Sequence, residues 1–210
     1  ILSPWHEMIA RRNEGRRWSM HPPAKEVRVF YGHDRIPSQD EKAFGGIVKC
    51  QDLETLFPNT PRSASVLYLV SSALPAHACL MAEKAKKHGV KVVLNQDGVA
   101  YEGWHGRGWE KTNEPMKCLV HLADHVFFQS AFSKNSADLF LGQRNGPCEV
   151  LHNPVDTGAF KPAAADPAPG KTILLLSGSH WAHYRVAVAI ETLARVLQKG
   201  LQAELVIAGR

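Results

Sequence analysis

The sequence predicts an α/β protein built on a doubly wound parallel sheet, followed by the first β-α-β of a second, Rossmann-like domain. Two observations predict this. Short apolar runs, "VRVFY", "SVLYLV", "VKVVLN", "HVFFQS" and "CEVLH", alternate with helical patterns from residue 27 to residue 152. They are rich in Val, Leu and Phe without strict alternation, as strands covered on both faces are. The pattern then stops at the soft run "AAADPAPGK" and restarts as "KTILLLS", a helix and "AELVIAG".

Residues 1–26 read as a helix from Trp5 to Arg17, basic through "RRNEGRR" and broken by "HPP"; no domain is assigned to them. The first domain spans 27–162, with helices predicted at Gly46–Phe57, Pro75–His88, Glu114–Ala123 and Ser133–Leu141. Its last strand runs into "HNPVD", where Asn153 and Asp156 can tie a tight turn to the backbone. A rigid turn beside a soft spacer, 163–170, predicts a hinge. The second domain occupies 171–210, and Val186, Ile190, Leu193 and Leu197 give its helix one apolar stripe. The chain opens at Ile1 and closes just after an apolar strand, so both ends are expected to lie inside a longer protein.

Composition narrows the class. The 210 residues are 44% hydrophobic and 21% charged, which suits a globular protein with a real core. No run approaches 18 apolar residues, and no charged start precedes an apolar stretch, which predicts a cytoplasmic location. The net charge of +5 is concentrated at 11–17, a solvated helix face that can also make peripheral contact with an anionic membrane surface. Basic residues clustered at one end, without interleaved aromatics, do not make a nucleic-acid binder. The four cysteines stand roughly 30 to 40 positions apart, are read as free thiols, and predict no metal site.

Several motifs fail on spacing. "APGKT" has Ala165 where a phosphate loop needs Gly, and it precedes a strand. His121 and His125 are four apart, but Leu122 stands where a metalloprotease has Glu, so both are read as structural. Neither a Gly-x-Ser-x-Gly elbow nor a dinucleotide glycine motif between strand and helix is present.

Ligands of open α/β sheets collect beyond the carboxyl ends of the strands. After the first strand, Gly45 and Gly46 begin a helix, where bare N–H groups can hold a phosphate; a simple glycine cap is the other reading. After the third strand, "NQDGVAYEGWHGRGW" gathers Asn95, Gln96, Asp97, Tyr101, Trp104 and His105. Aromatic plates beside amide and carboxylate forks suit a sugar, whereas the same aromatics could simply pack a lid. After the fourth strand, Ser133 reads as an N-cap.

"HVFFQSAFSKNSADLFLG" followed by "CEVLHNPVDTGAFKP" resembles the segment with which retaining glycosyltransferases of family 4, of GT-B fold, close their N-terminal domain. "AFGGIVK" is similar to that family's glycine loop, and "TILLLSGSH" to "LVIAG" is similar to the start of its donor-binding domain. The resemblance implies a nucleotide-sugar donor, a glycan, lipid-linked or small-molecule acceptor, retention of configuration, and neither cofactor nor metal. It assigns Gly45, Gly46, Gly178 and Arg185 to the donor. Asn95, Gln96, Asp97, Tyr101, Trp104 and His105 fall to the acceptor, with Asp97 as the catalytic candidate. Two positions depart from the pattern: Gln96 stands where many members carry His, and Ser179 where many carry Arg. The family's glutamate pair would lie past Arg210, so residues 1–210 alone are expected to be inactive. The alternative is an α/β module that binds a glycan or nucleotide without transferring sugar.

Overall fold

The computed structural model describes residues 4–162, 172–178 and 183–209. The chain forms two compact units, Ile1–Pro154 and Val155–Arg210. The spacer 163–170 lies outside the described residues.

In the first unit the order is α1 (Pro4–Met20), β1 (Val29–Phe30), α2 (Gly46–Glu54), β2 (Val66–Val70), a 3-10 turn (Ser71–Ala73), α3 (Ala78–Lys87) and β3 (Lys91–Gln96). The short α4 (Glu102–His105), α5 (Trp109–Leu122), β4 (His125–Phe128), α6 (Ala131–Leu141) and β5 (Cys148–Val150) follow. The five strands pair in parallel in chain order.

The pleat of β2 sorts the core. Leu67 and Leu69 face one side with Trp18 of α1, Met81 of α3, Leu119 of α5 and Leu141 of α6. Val66, Tyr68 and Val70 face the other side with Cys50 and Leu53 of α2. Helices therefore cover both faces of a parallel sheet, a Rossmann-like α/β architecture.

The order of strands hides a change of direction. Val29 also bridges in parallel to Asn59, on the edge of β1 away from β2. After β1 the chain thus crosses over α2 to one side, while after β2 it crosses over α3, on the opposite face, toward β3. A crevice opens where such paths diverge, between the carboxyl ends of β1 and β2. Asn59 also blunts the free edge: its Oδ1 accepts from the Tyr31 amide at 3.2 Å and its Nδ2 donates to the His33 carbonyl at 2.8 Å.

Several elements differ from the sequence expectation for local reasons. α2 stops at Glu54 rather than Phe57, because Leu56 and Phe57 both turn back to the Leu53 carbonyl. α3 starts at Ala78, not Pro75, since the left-handed His77 (φ 57°) intervenes. α5 starts at Trp109, five residues before the expected Glu114, and carries Pro115 inside it at the loss of one backbone donor. α1 is no loose extension: Trp18 is fully buried and packs edge-on to Phe30, their ring centroids 6.2 Å apart. Its Arg17 lies over Phe30 and bonds Asp34 at 3.2 Å, leaving Arg11, Arg12 and Arg16 in solvent.

The cysteines need a correction. Cys50 and Cys148 are free, but Cys79 of α3 is bridged to Cys118 of α5. The two helices lie side by side on one face and bring residues 39 apart in sequence to a Cα separation of 6.2 Å. Spacing along the chain carries no trace of that neighbourhood. His121 and His125 are structural as read: His121 Nε2 meets the Leu141 carbonyl at 3.0 Å, and His125 lies 3.3 Å from Glu149.

The carboxyl end of α5 is satisfied from outside the helix. Arg144 donates to the carbonyls of Val120, Ala123 (2.7 Å) and Pro147 (3.2 Å), while Lys86 donates to Leu122 (2.8 Å). Those of Val120, Leu122 and Ala123 have no partner within α5. Arg144→Met keeps the stem and removes three donors, so at about 1 kcal/mol per bond it should destabilise the first unit by about 3 kcal/mol. Denaturant titration checks this through an unchanged slope and a lowered midpoint.

The second unit is a β-α-β: β6 (Thr172–Gly178), α7 (His183–Gln198) and β7 (Ala203–Gly209), with the strands parallel over seven pairs. Its stripe is Val186, Ala189, Leu193 and Val196 rather than the expected set. Ile190 and Leu197 are 54% and 49% exposed. The helix is apolar on two flanks, so period alone does not say which flank meets the sheet. No helix among the described residues is long and apolar enough to cross a membrane.

Candidate functional site

The loops after β1, β2, β3 and β4 meet at the crevice, and Asp97 stands at their junction. Its carboxylate takes Lys49 of α2 on one oxygen and the Ser72 hydroxyl on the other. Its amide donates to Ser71 Oγ at 2.9 Å. Its carbonyl accepts from Gln129 Nε2 and from Ser133 Oγ, each at 2.7 Å. Three segments distant in sequence thus fix one residue, and its side chain is only 15% exposed. Lys49 also donates to Asn95 Oδ1 at 3.0 Å, and Asn95 Nδ2 donates to the Tyr68 hydroxyl at 3.0 Å.

The supports behind this network are equally specific. Ser130, not Ser133, caps α6, accepting from the Ser133 amide at 3.0 Å. Ser133 is buried and uses its hydroxyl on the Gln96 and Asp97 carbonyls instead. Asn153 donates to Gln129 Oε1 at 3.0 Å, which orients the amide that holds Asp97. The turn expected from "HNPVD" is tied by Asp156 alone, whose Oδ1 accepts from Gly158 and Ala159.

Gly45 and Gly46 sit at the amino end of α2 beside the turn that follows β2. Gly45 has φ +47° and provides no side-chain cap. A Cβ on Gly46 would lie 2.6 Å from Val70 Cγ1 and 2.9 Å from both Ala73 Cβ and Ser72 Oγ. The first requirement met by Gly46 is therefore close packing of α2 on the sheet end, a demand the sequence reading did not include.

The acceptor candidates divide. Asn95 and Asp97 join the network, but Gln96 points to the other face, is fully buried, and bonds the Gly98 carbonyl. Its side chain is a core group and does not form part of an acceptor wall. Tyr101 stacks on Phe140 with ring centroids 5.9 Å apart, and His105 meets Thr112 Oγ1 at 2.9 Å. Trp104 is half-exposed beside His105. Of these three only Tyr101 meets α6, and none lines the cleft next to Asn95.

That cleft, ≈ 350 Å³ in volume, lies between α2 and the tail after β5. Burial, together with Glu54 and Asp97 nearby, pushes the Cys50 thiol up to about 12, so it is no nucleophile at neutral pH. Burial likewise raises Tyr68 above the ordinary phenol range, so its hydroxyl keeps its proton. In the second unit, Gly178 ends β6 at φ +119° with open space where a Cβ would stand, and Arg185 lies in the first turn of α7. Ser179 lies outside the described residues. Among the described residues, no group of three His, Cys, Asp or Glu side chains could hold a metal ion.

Lys49, Ser72 and Tyr68 were missed by sequence reasoning. Lys49 had a signal, standing one turn after Gly46 on the same helix; Ser72 had only its place after a strand. Compared with known proteins, the chain matches no family model and no curated protein.

Proposed function

We propose that this chain carries the acceptor-side domain, and the opening β-α-β of the donor-binding domain, of a retaining GT-B glycosyltransferase. The donor is a nucleotide-sugar, and the acceptor is a glycan, a lipid-linked sugar or a small molecule. The observation that carries the proposal is the immobilised Asp97 carboxylate at the switch point, beside the uncapped amino end of α2. Transfer to a hydroxyl needs an oxygen to orient that hydroxyl and accept its hydrogen bond, and Asp97 supplies one. The Lys49 ammonium balances the charge of this partly buried carboxylate.

The departing diphosphate needs positive potential where its charge builds. The N–H groups at the start of α2 provide it in the first unit. The resemblance assigns the same task to Gly178 and Arg185 in the second unit. As the anomeric C–O bond breaks, its electron pair goes to the diphosphate. The acceptor oxygen forms the new bond to the anomeric carbon on the same face, and the acceptor proton passes to the departing diphosphate. The exposed Arg11, Arg12 and Arg16 allow the enzyme to rest against an anionic membrane face.

One feature favours the rival reading of a binding module: both Asp97 oxygens already have partners inside the fold. Release of nucleoside diphosphate from a panel of nucleotide-sugars by the full-length protein separates the two. Release that rises with added acceptor is expected. Binding without release would select the module.

A further inference from the structure

The cleft beside Asn95 has a composition that the transfer reading does not use. Lys49 and Leu53 stand four apart on one flank of α2, so they share a face, and Leu56 follows in the turn just past its end. That flank forms one wall of the cleft, and Leu151 and Pro154, after β5, form the other. Leu56 and Leu151 are 74% and 51% exposed although they border the same hollow. Tyr68 and Asn95, on the paired strands β2 and β3, close its inner end.

The polar groups at that inner end are not interchangeable. Asn95 spends its oxygen on Lys49 and one amide hydrogen on Tyr68. The Tyr68 oxygen accepts that bond, and its own proton has no acceptor among the described residues. The cleft therefore offers one hydroxyl donor between apolar walls. Lys49 at its margin is paired with Asp97, and Asp52 adds an opposing charge, so the site does not call for an ion. The volume is at the small end for ligand pockets, enough for a ring or a short chain and too little for a long lipid tail.

We infer that this cleft binds the apolar group of an amphipathic acceptor, an aryl or short alkyl substituent whose linking oxygen accepts from Tyr68 and whose hydroxyl-bearing ring extends toward Lys49 and Asp97. The inference rests on the transfer reading for its geometry, but it makes its own claim about the class of acceptor. Burying an aryl ring removes an apolar area that a methyl group does not have.

Binding of 4-nitrophenyl glucoside and of methyl glucoside to the full-length protein, measured by calorimetry without donor, tests it. The nitrophenyl compound should bind at least about tenfold tighter. Leu56→Ser with Leu151→Ser should remove that advantage while leaving the melting temperature in place, since both side chains are exposed. Tyr68→Phe should weaken the nitrophenyl compound by about tenfold, as loss of one partly buried hydrogen bond does. Equal affinity for the two glucosides, or an advantage that survives the leucine substitutions, would overturn the inference. A protein that prefers the aryl glucoside but releases no nucleoside diphosphate keeps the inference and loses the transfer reading. One that transfers to both glucosides without preference does the reverse.

Discussion

Gly46→Val should cost the first unit a large part of its stability. The new Cβ would begin 2.6 Å from Val70 Cγ1 and 2.9 Å from Ala73 Cβ, and the two added methyl groups have nowhere to go. Neither obstacle is the far end of a flexible chain: one is a branched side chain in β2 and the other a Cβ in the 3-10 turn. α2 would have to lift off the sheet end, which opens the small core of Tyr31, Ile36, Cys50 and Val70. Overpacking of this kind costs about 1–3 kcal/mol, and with a helix displaced the upper end or more is expected. That is a large part of the stability of a domain. A double variant with Val70→Ala removes the nearest obstacle and should recover part of the loss, a coupling that denaturant titration measures. If Gly46→Val folds as the wild type and only turnover falls, the glycine serves a phosphate and the packing argument is wrong.

Asp97→Asn should leave the fold standing and remove most of the activity of the full-length protein. The amide keeps the shape: its oxygen can accept from Lys49, and its NH2 can donate to the Ser72 hydroxyl, which serves equally as donor or acceptor. The backbone bonds from Gln129 and Ser133 and to Ser71 are untouched. Lost are the charge and the basic oxygen that would take a hydrogen bond from the acceptor hydroxyl. Removing such a group lowers turnover by about 10²- to 10⁴-fold. Donor affinity should change little, because the proposed diphosphate contacts are the N–H groups at the amino end of α2. If Asp97 were only a staple between loops, turnover and melting temperature would fall together. Their separation is the expected result, read from steady-state rates and a thermal scan on the same preparation.

What the sequence made visible follows from the physics of each signal. The strands were legible because two-sided burial leaves continuous apolar runs: β1, β2, β4 and β5 fall inside the expected segments, and β3 runs one residue past its own. Helix ends were less so: α5 tolerates Pro115 in its interior, where the sequence suggested a start. The stripe of α7 was off at two positions because Ile190 and Leu197 are as apolar as the residues that face the sheet.

The site was half legible. Asp97 and Asn95 could be found because loops after parallel strands converge. Gln96 could have been excluded by the pleat, since Val92 and Leu94 share its parity and face the large core. Lys49 and Ser72 reach Asp97 from 48 and 25 residues away. Only the fold brings them there, as it brings Cys79 to Cys118.

The central claim is that these residues belong to an enzyme that transfers sugar with its configuration kept. The anomeric configuration of the first-formed product, followed by proton NMR during turnover of the full-length protein with an α-linked nucleotide-sugar, tests it most directly. An α-linked product, abolished by Asp97→Asn, is the predicted result; a β-linked product, or nucleotide-sugar left intact beside every acceptor, would contradict it.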